Sequence, residues 1–365
     1  MPLVKIINLS KKYENLIALS KIDLEIHDGE YLAIVGPSGC GKTTLIKSIA
    51  GIVKPTTGDV FINDVNVTSF SIEDRDSGYV FQEIALFPHM SASDNIGYGL
   101  MIKGEPPKIR NMQVEEMLHM MNLDEYELFF PNEMSGGAKQ KTAIARALAS
   151  GARLLILDEP LGALDLKIRT VLRYELQKLV KDLGLTAIHV THDQEEAMSV
   201  CDRLVVMKAG KIVEIGIPAE LYRNPKSLFT AKFLGEANFI EGVVAEVIGD
   251  LYSISTLDTF FKVNSSKKLK TGERCVIAIR PEFIKIGVGN ENTIPCIVNQ
   301  INFTGETYRV NVQIEKGPQI LARIFASDGE PQFKVGDRIA ICLSKDNLLL
   351  YTYPEDGLDK ELSLE

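Results

Sequence analysis

Gly36-Pro37-Ser38-Gly39-Cys40-Gly41-Lys42-Thr43 decides the fold of this chain, because it fits G-x-x-x-x-G-K-[ST], the pattern of a loop that wraps a phosphate group. Upstream, Tyr31-Leu32-Ala33-Ile34-Val35 is an uninterrupted apolar run suited to a buried strand. Downstream, Thr44-Leu45-Ile46-Lys47-Ser48-Ile49-Ala50 has helical character. A loop set between such a strand and helix turns its backbone N–H groups inward at the positive end of the helix. Lys42 adds charge toward the β- and γ-phosphates, and the Thr43 hydroxyl is offered to Mg²⁺. Gly36, Pro37, Ser38, Gly39, Cys40, Gly41, Lys42, Thr43 and Thr44 are therefore expected to contact the nucleotide.

A second constellation lies at Leu154-Leu155-Ile156-Leu157-Asp158-Glu159, where four apolar residues end in two carboxylates. A buried strand that delivers acids to its C-terminal end suits a nucleotide site in an α/β sheet. Asp158 is expected to hold Mg²⁺, usually through water, and Glu159 to orient or deprotonate the attacking water. Alone, acids at a strand end are commonly a solvated loop. Paired with the phosphate loop they read as a catalytic edge.

Composition sets the limits around these motifs. The 365 residues carry 40 Lys+Arg against 49 Asp+Glu, a net charge of −9, with 45% hydrophobic and 24% charged residues. That is the profile of a soluble globular chain, long enough at roughly 150 residues per domain for two or three domains. The acidic balance argues against a general phosphate-backbone binder, since nonspecific nucleic-acid affinity rests on Lys and Arg. The five cysteines, Cys40, Cys201, Cys275, Cys296 and Cys342, form no C-x-x-C pair and read as reduced thiols. The start, Met1-Pro2-Leu3-Val4-Lys5, has no basic segment leading into an apolar stretch, so no secretory signal is expected. No apolar run approaches the ~20 residues of a membrane-spanning helix; a role at a membrane would require another chain to cross it.

Texture divides the chain. Residues 1–235 alternate short apolar runs with helical patterns, as in an α/β domain. Ile22-Asp23-Leu24-Glu25-Ile26 has the period of a half-exposed strand. Val114, Met117, Leu118 and Met121 place one apolar face on a packed helix, within a helical insert at about 90–150. From 236 to 365, runs such as Cys275-Val276-Ile277-Ala278-Ile279 and Tyr308-Arg309-Val310-Asn311-Val312 predict an all-β small barrel. The stretch from Pro354-Glu355-Asp356-Gly357 onward is acidic and polar and is expected to form a loose tail.

With these residues in place, Met134-Ser135-Gly136-Gly137-Ala138-Lys139-Gln140 resembles the L-S-G-G-Q-x-Q signature of the nucleotide-binding subunits of ATP-binding cassette (ABC) transporters. Ser135 is a good N-cap for a helix expected from Ala138 to Ser150. The resemblance implies that Ser135, Gly136 and Gly137 present donors to the γ-phosphate of ATP held by a partner subunit. The departures are Met134, Ala138 and Lys141, where the family has Leu, Gln and frequently Arg; Ala138 lacks the amide that would reach the partner's ribose. Further matches follow in the family's order. Gln82 corresponds to the loop glutamine that senses Mg²⁺ and the attacking water, Asp165 in Gly162-Ala163-Leu164-Asp165 to the dimer-seam loop, and His192 to the switch histidine. Tyr13 takes the place of the aromatic that stacks on adenine. Each has an ordinary structural reading alone, and their joint order outweighs it. His27, His89, His119 and His189 show no metal-ligand spacing and are read as structural.

Arg280-Pro281-Glu282 and Gly305-Glu306-Thr307 look like the C-terminal TOBE extension, an OB-like small barrel found on importer ATPases. Arg280 also has an ordinary reading as a structural ion-pair residue. The whole resemblance implies a phosphate-loop ABC cassette with a helical subdomain, followed by a TOBE barrel. It implies an ATP- and Mg²⁺-dependent ATPase in which two copies sandwich two ATP molecules, Lys42, Gln82, Glu159 and His192 being the catalytic set and Thr43, Gln82 and Asp158 the metal set. The expected setting is the cytoplasmic face of the membrane, beside permease subunits and, indirectly, an external solute-binding protein, without nucleic acid. Phe87-Pro88-His89-Met90 is a candidate part of the permease surface. Ferric iron, polyamines and oxyanions are favoured over sugars as the solute. The competing readings are a soluble ABC ATPase working on nucleic acid or ribosomes, and a phosphate-loop kinase. A ligand-sensing role for the barrel is a further alternative.

Overall fold

In the computed structural model, which describes residues 2–256, 259–287, 289, 292–315 and 317–363, the apolar runs become the middle of a sheet covered on both faces. Contacts divide the chain into two units, one ending at Leu221 and the other beginning at Tyr222.

The first unit opens with the hairpin β1 (Pro2–Tyr13) and β2 (Leu16–His27), then β3 (Tyr31–Val35) and α1 (Lys42–Ala50). Strands β4 (Thr57–Ile62), β5 (Val65–Asn66) and β6 (Ser77–Val80) lead into helices α2 (Ala92–Ile102), α3 (Pro107–Met120) and α4 (Gly136–Ala149). The chain returns through β7 (Leu154–Asp158), α5 (Leu166–Asp182), β8 (Thr186–Val190), α6 (Gln194–Val200), β9 (Arg203–Lys208) and β10 (Lys211–Gly216). One sheet has the order β2-β1-β4-β5 and is antiparallel; the other has the order β10-β9-β3-β8-β7-β6. All neighbours in the second are parallel except the β9–β10 pair.

Alternation along these strands explains why they read as continuous apolar runs. Leu32 and Ile34, Leu154 and Ile156, and Ile188 and Val190 pack with α1 and the antiparallel sheet. Tyr31, Leu155, Leu157 and Ala187 face the opposite way, against α2, α3 and α4. A strand buried on both sides has no polar face to show. Val114, Leu118 and Met121 lie in that second core and Met117 packs against it, so the helical stripe serves packing. Helix α4 starts at Gly136, two residues before the expected Ala138, because the Ser135 hydroxyl accepts the Ala138 N–H at 3.2 Å and closes the first turn.

After α7 (Pro218–Arg223), which runs across the division, α8 (Leu228–Phe233) precedes the β-rich unit. Its strands are β11 (Asn238–Ile248), β12 (Leu251–Ser255), β13 (Phe260–Asn264), β14 (Arg274–Ile279) and β15 (Ile284–Ile286). They continue as β16 (Thr293–Phe303), β17 (Thr307–Ile314), β18 (Gln319–Phe325), β19 (Arg338–Leu343) and β20 (Leu349–Thr352), ending with α9 (Leu358–Leu362). Two five-stranded antiparallel sheets, β13-β12-β11-β14-β20 and β15-β19-β16-β17-β18, share one core. Strand β14 is buried on both sides: Cys275, Ile277 and Ile279 enter that core, whereas Val276 and Ala278 pack under Leu228 and Ala231 of α8.

Two expectations change here. The segment after Pro354 is no loose tail: it forms α9, whose Leu358 and Leu362, one turn apart, pack on the outer face of the sheet. Arg280 is structural, but among the described residues it acts through backbone carbonyls and not through an ion pair. It is 2% exposed, and its guanidinium donates to the carbonyls of Ala231 at 2.7 Å, Tyr222 at 3.1 Å and Glu236 at 3.2 Å. Helix ends leave carbonyls without partners, and a fixed fork of five donors suits several of them at once. Arg280→Met is expected to cost about 3 kcal/mol, since it strands buried acceptors; urea unfolding followed by circular dichroism measures it.

Candidate active site

Parallel strands end together, so their C-terminal ends collect whatever follows them. Here β3 is followed by the phosphate loop, β7 closes on Asp158 and continues to Glu159, β8 runs into Thr191 and His192, and β6 runs into Phe81 and Gln82. The sheet order places β8 between β3 and β7, with β6 beyond β7.

The loop is cramped. A Cβ on Gly36 would lie 2.4 Å from the Met207 carbonyl oxygen, and one on Gly41, whose φ is +106°, would lie 2.5 Å from the Ala18 carbonyl oxygen. Only glycine tolerates both the close approach and the backbone angle. No side chain caps α1, so its first N–H groups are left to the loop's contents. Lys42 is 6% exposed, and its ammonium donates to the carbonyls of Gly36 at 2.8 Å and Pro37 at 3.0 Å. Burial pushes the neighbouring Cys40 thiol up, against the opposing pull of Lys42, so it sits in the loop as a neutral group.

Both acids are held by named partners. The Thr43 hydroxyl donates to Asp158 Oδ1 at 3.2 Å, and the Tyr79 hydroxyl donates to Asp158 Oδ2 at 2.9 Å. Burial, together with the Asp158 charge, raises the Tyr79 phenol far above its ordinary range. Glu159 has φ +47°, a left-handed backbone uncommon outside glycine, and its N–H donates to the Val190 carbonyl at 2.9 Å. That turn brings Glu159 Oε2 within 2.9 Å of the Gln82 amide nitrogen and 3.2 Å of His192 Nδ1. Gln82, Glu159 and His192, which are far apart in sequence, therefore meet at one carboxylate oxygen. Such an arrangement can hold a water against the end of a phosphate chain and receive its proton.

Other expected residues lie apart from this cluster. Ser135 caps α4, and Cβ atoms on Gly136 and Gly137 would meet Leu164 and Ile168 at 3.1 Å rather than the loop or the acids. Asp165 caps α5 by accepting the Ile168 N–H at 3.1 Å. Tyr13 is 43% exposed at the end of β1, with the Lys11 ammonium 4.7 Å from its ring centre. Within one chain, then, the signature segment faces no phosphate loop.

Sequence reading missed Tyr79, and also a buried relay behind His192. His189 is 1% exposed; its Nδ1 lies 3.0 Å from the Tyr31 hydroxyl, and its Nε2 lies 3.2 Å from Glu196. The Glu196 carboxylate accepts the Thr191 hydroxyl at 2.9 Å, and that hydroxyl accepts the Asp193 N–H at 3.0 Å, so the relay grips the loop on both sides of His192. A phenol in a strand needs a partner for its hydroxyl, which was the available signal. Only the strand order identifies the partner.

Set beside known proteins, this fold is that of an ABC-type ATPase. The ABC transporter family matches residues 19–162, and the TOBE domain family matches residues 277–350. A protein of Marinobacter nauticus named spermidine/putrescine import ATP-binding protein PotA is 38% identical over 93% of this chain and 92% of its own length. One of the same name from Borrelia garinii is 38% identical over 95% of this chain and 97% of its own. Among solved structures, the dimeric post-hydrolysis ATP-binding cassette MJ0796, bound to ADP and Pi, has a TM-score of 0.54 and 32% identity, covering 59% of this chain and 98% of that one. The chain belongs to the ATP-binding subunits of ABC importers that carry a C-terminal TOBE domain, and it is an ATP hydrolase.

The relay makes a pH-dependent prediction. Burial would raise the Glu196 carboxyl, but the nearby His189 imidazole, with the Thr191 hydrogen bond and Arg169, outweighs it and holds it below the ordinary value of 4.5. A carboxyl depressed by folding contributes stability that is complete above its unfolded pKa and disappears as pH falls through the folded one. Glu196→Gln is expected to lower Tm at neutral pH, and the gap to the unaltered protein to narrow only as pH falls below the ordinary carboxyl range and through the depressed value of Glu196, which melting curves across pH measure.

Proposed function

We propose that two copies of this chain close on two ATP molecules, each held between the phosphate loop of one copy and Ser135-Gly136-Gly137 of the other. The observation that carries this reading is the meeting of Gln82, Glu159 and His192 beside the phosphate loop, while the signature segment of the same chain points elsewhere. Lys42 and the loop backbone bind the β- and γ-phosphates, and Glu159 orients water and takes its proton. His192 meets charge that develops on the γ-phosphate, Gln82 holds the water from the other side, and Tyr13 stacks on adenine. Asp165 belongs to the seam between the copies. ATP then acts as a ligand of the closed pair, and hydrolysis releases it.

Hard oxygen donors suit Mg²⁺. The Thr43 hydroxyl and Asp158 carboxylate converge at 3.2 Å, and the Gln82 amide, with its nitrogen turned to Glu159, leaves its oxygen free for the same ion. When bound, the ion neutralises phosphate charge.

The solute favoured by this reading is a polyamine, the choice among the expected solutes that agrees with the names of the relatives from Marinobacter, Borrelia and Vibrio cholerae. Permease subunits are the partners that carry it across the membrane, supplied by an external binding protein. No helix among the described residues is long and apolar enough to cross a membrane. The docking surface proposed for the permease, on the cytoplasmic face, is a groove of about 770 Å³ lined by His89, Met90, Tyr98, Met101, Arg110 and Glu127. It joins His89 and Met90, at the end of the 82–90 segment, to the helical insert.

Glu159→Gln is expected to reduce ATP turnover at least a hundredfold and to trap a dimer in ATP, read by phosphate release and light scattering. Unchanged turnover removes Glu159 from its role. Cells lacking this chain are expected to stop accumulating labelled spermidine or putrescine while sugar uptake continues; intact polyamine uptake overturns the solute assignment.

A further inference from the structure

Asp158 has two carboxylate oxygens, and the expected metal set accounts for one. Its Oδ1 meets Thr43, whereas its Oδ2 accepts the Tyr79 hydroxyl at 2.9 Å. Tyr79 lies on β6 opposite Ile156 of β7, so Asp158 is the diagonal neighbour two residues on, within reach of a long side chain on the same face. The ring is fixed independently: it packs against the core formed with α1, and its centre lies 4.6 Å from that of Phe81. Strand β6 is the edge of the sheet, and two hydrogen bonds cross to the acid pair, one from the strand, Tyr79 to Asp158, and one from the segment after it, Gln82 to Glu159.

We propose that Tyr79 is a positioning residue for the divalent cation: its hydroxyl pins Asp158 Oδ2, so that Oδ1 stays beside the Thr43 hydroxyl. A carboxylate held at one oxygen by a rigid phenol loses rotation about its side-chain bonds before the ion arrives, and this ordering cost is then not charged to binding. The phenol touches neither nucleotide nor ion. Its effect is confined to the part of nucleotide affinity that the cation supplies.

The inference rests on the assignment of Asp158 to Mg²⁺, and the test separates the two. The full chain is titrated with a fluorescent ATP analogue in Mg²⁺ and in EDTA, as the unaltered protein, as Tyr79→Phe, as Asp158→Asn and as the double variant. Tyr79→Phe keeps the ring and its packing, so the EDTA affinity is expected to stay unchanged while the gain on adding Mg²⁺ falls about three- to tenfold; Tm falls modestly, because the buried Asp158 Oδ2 loses its donor. Asp158→Asn is expected to abolish that gain, and adding Tyr79→Phe to it to change nothing further. A full Mg²⁺ gain in Tyr79→Phe alongside its loss in Asp158→Asn overturns the role of Tyr79 and leaves the metal set standing. A full gain in Asp158→Asn overturns the metal set itself. Equal weakening in Mg²⁺ and EDTA makes Tyr79 structural only and overturns the proposal.

Discussion

The register between β7 and its parallel neighbours is the constraint on which the chemistry depends. Leu154 to Asp158 lie opposite Thr186 to Val190 of β8, and Leu154 to Leu157 lie opposite Ser77 to Val80 of β6. One residue of slip would exchange the faces of every strand residue. It would carry Asp158 away from Thr43 and Tyr79. Burial of both faces, by α1 and the antiparallel sheet on one side and by α2 to α4 on the other, makes such a slip costly.

Within that frame the site is assembled by strain and by shared partners. Glu159 leaves the strand through a left-handed backbone conformation secured by the Val190 carbonyl. Without that turn, the alternation of β7 would carry the carboxylate toward the opposite face. One oxygen then serves both Gln82 and His192. The segment after β6 and the loop after β8 therefore share Glu159 as a common partner. His192 is more exposed than Glu159, at 58% against 18%. The buried relay of His189, Glu196 and Thr191 anchors the residues that flank His192.

The C-terminal unit follows different rules. Its two sheets close on one core, and β14 carries the burden of packing on both faces, which is why it reads as five consecutive apolar residues. Arg280, at the end of that strand, gathers carbonyls from three positions that would otherwise be buried without donors. A charged residue of the recognisable Arg-Pro-Glu run thereby serves backbone accounting.

What the sequence by itself determined is the local chemistry. A phosphate loop, an acid pair after an apolar strand and a Ser-Gly-Gly helix start are contiguous, and each makes its own backbone contacts; the capping hydroxyl of Ser135 needs only its next three residues. Strands buried on both faces and the helical methionine stripe were legible for the same reason, since periodicity is local. The tertiary structure decided everything that depends on which strands are neighbours. Tyr79 finds Asp158 only because β6 lies beside β7, and Gln82 and His192 find Glu159 from opposite sides. Arg280 finds carbonyls instead of carboxylates, and the polar C-terminal segment becomes a helix because its two leucines have a sheet to cover. Long-range hydrogen bonds leave no spacing in the chain, so only the folded molecule discloses them.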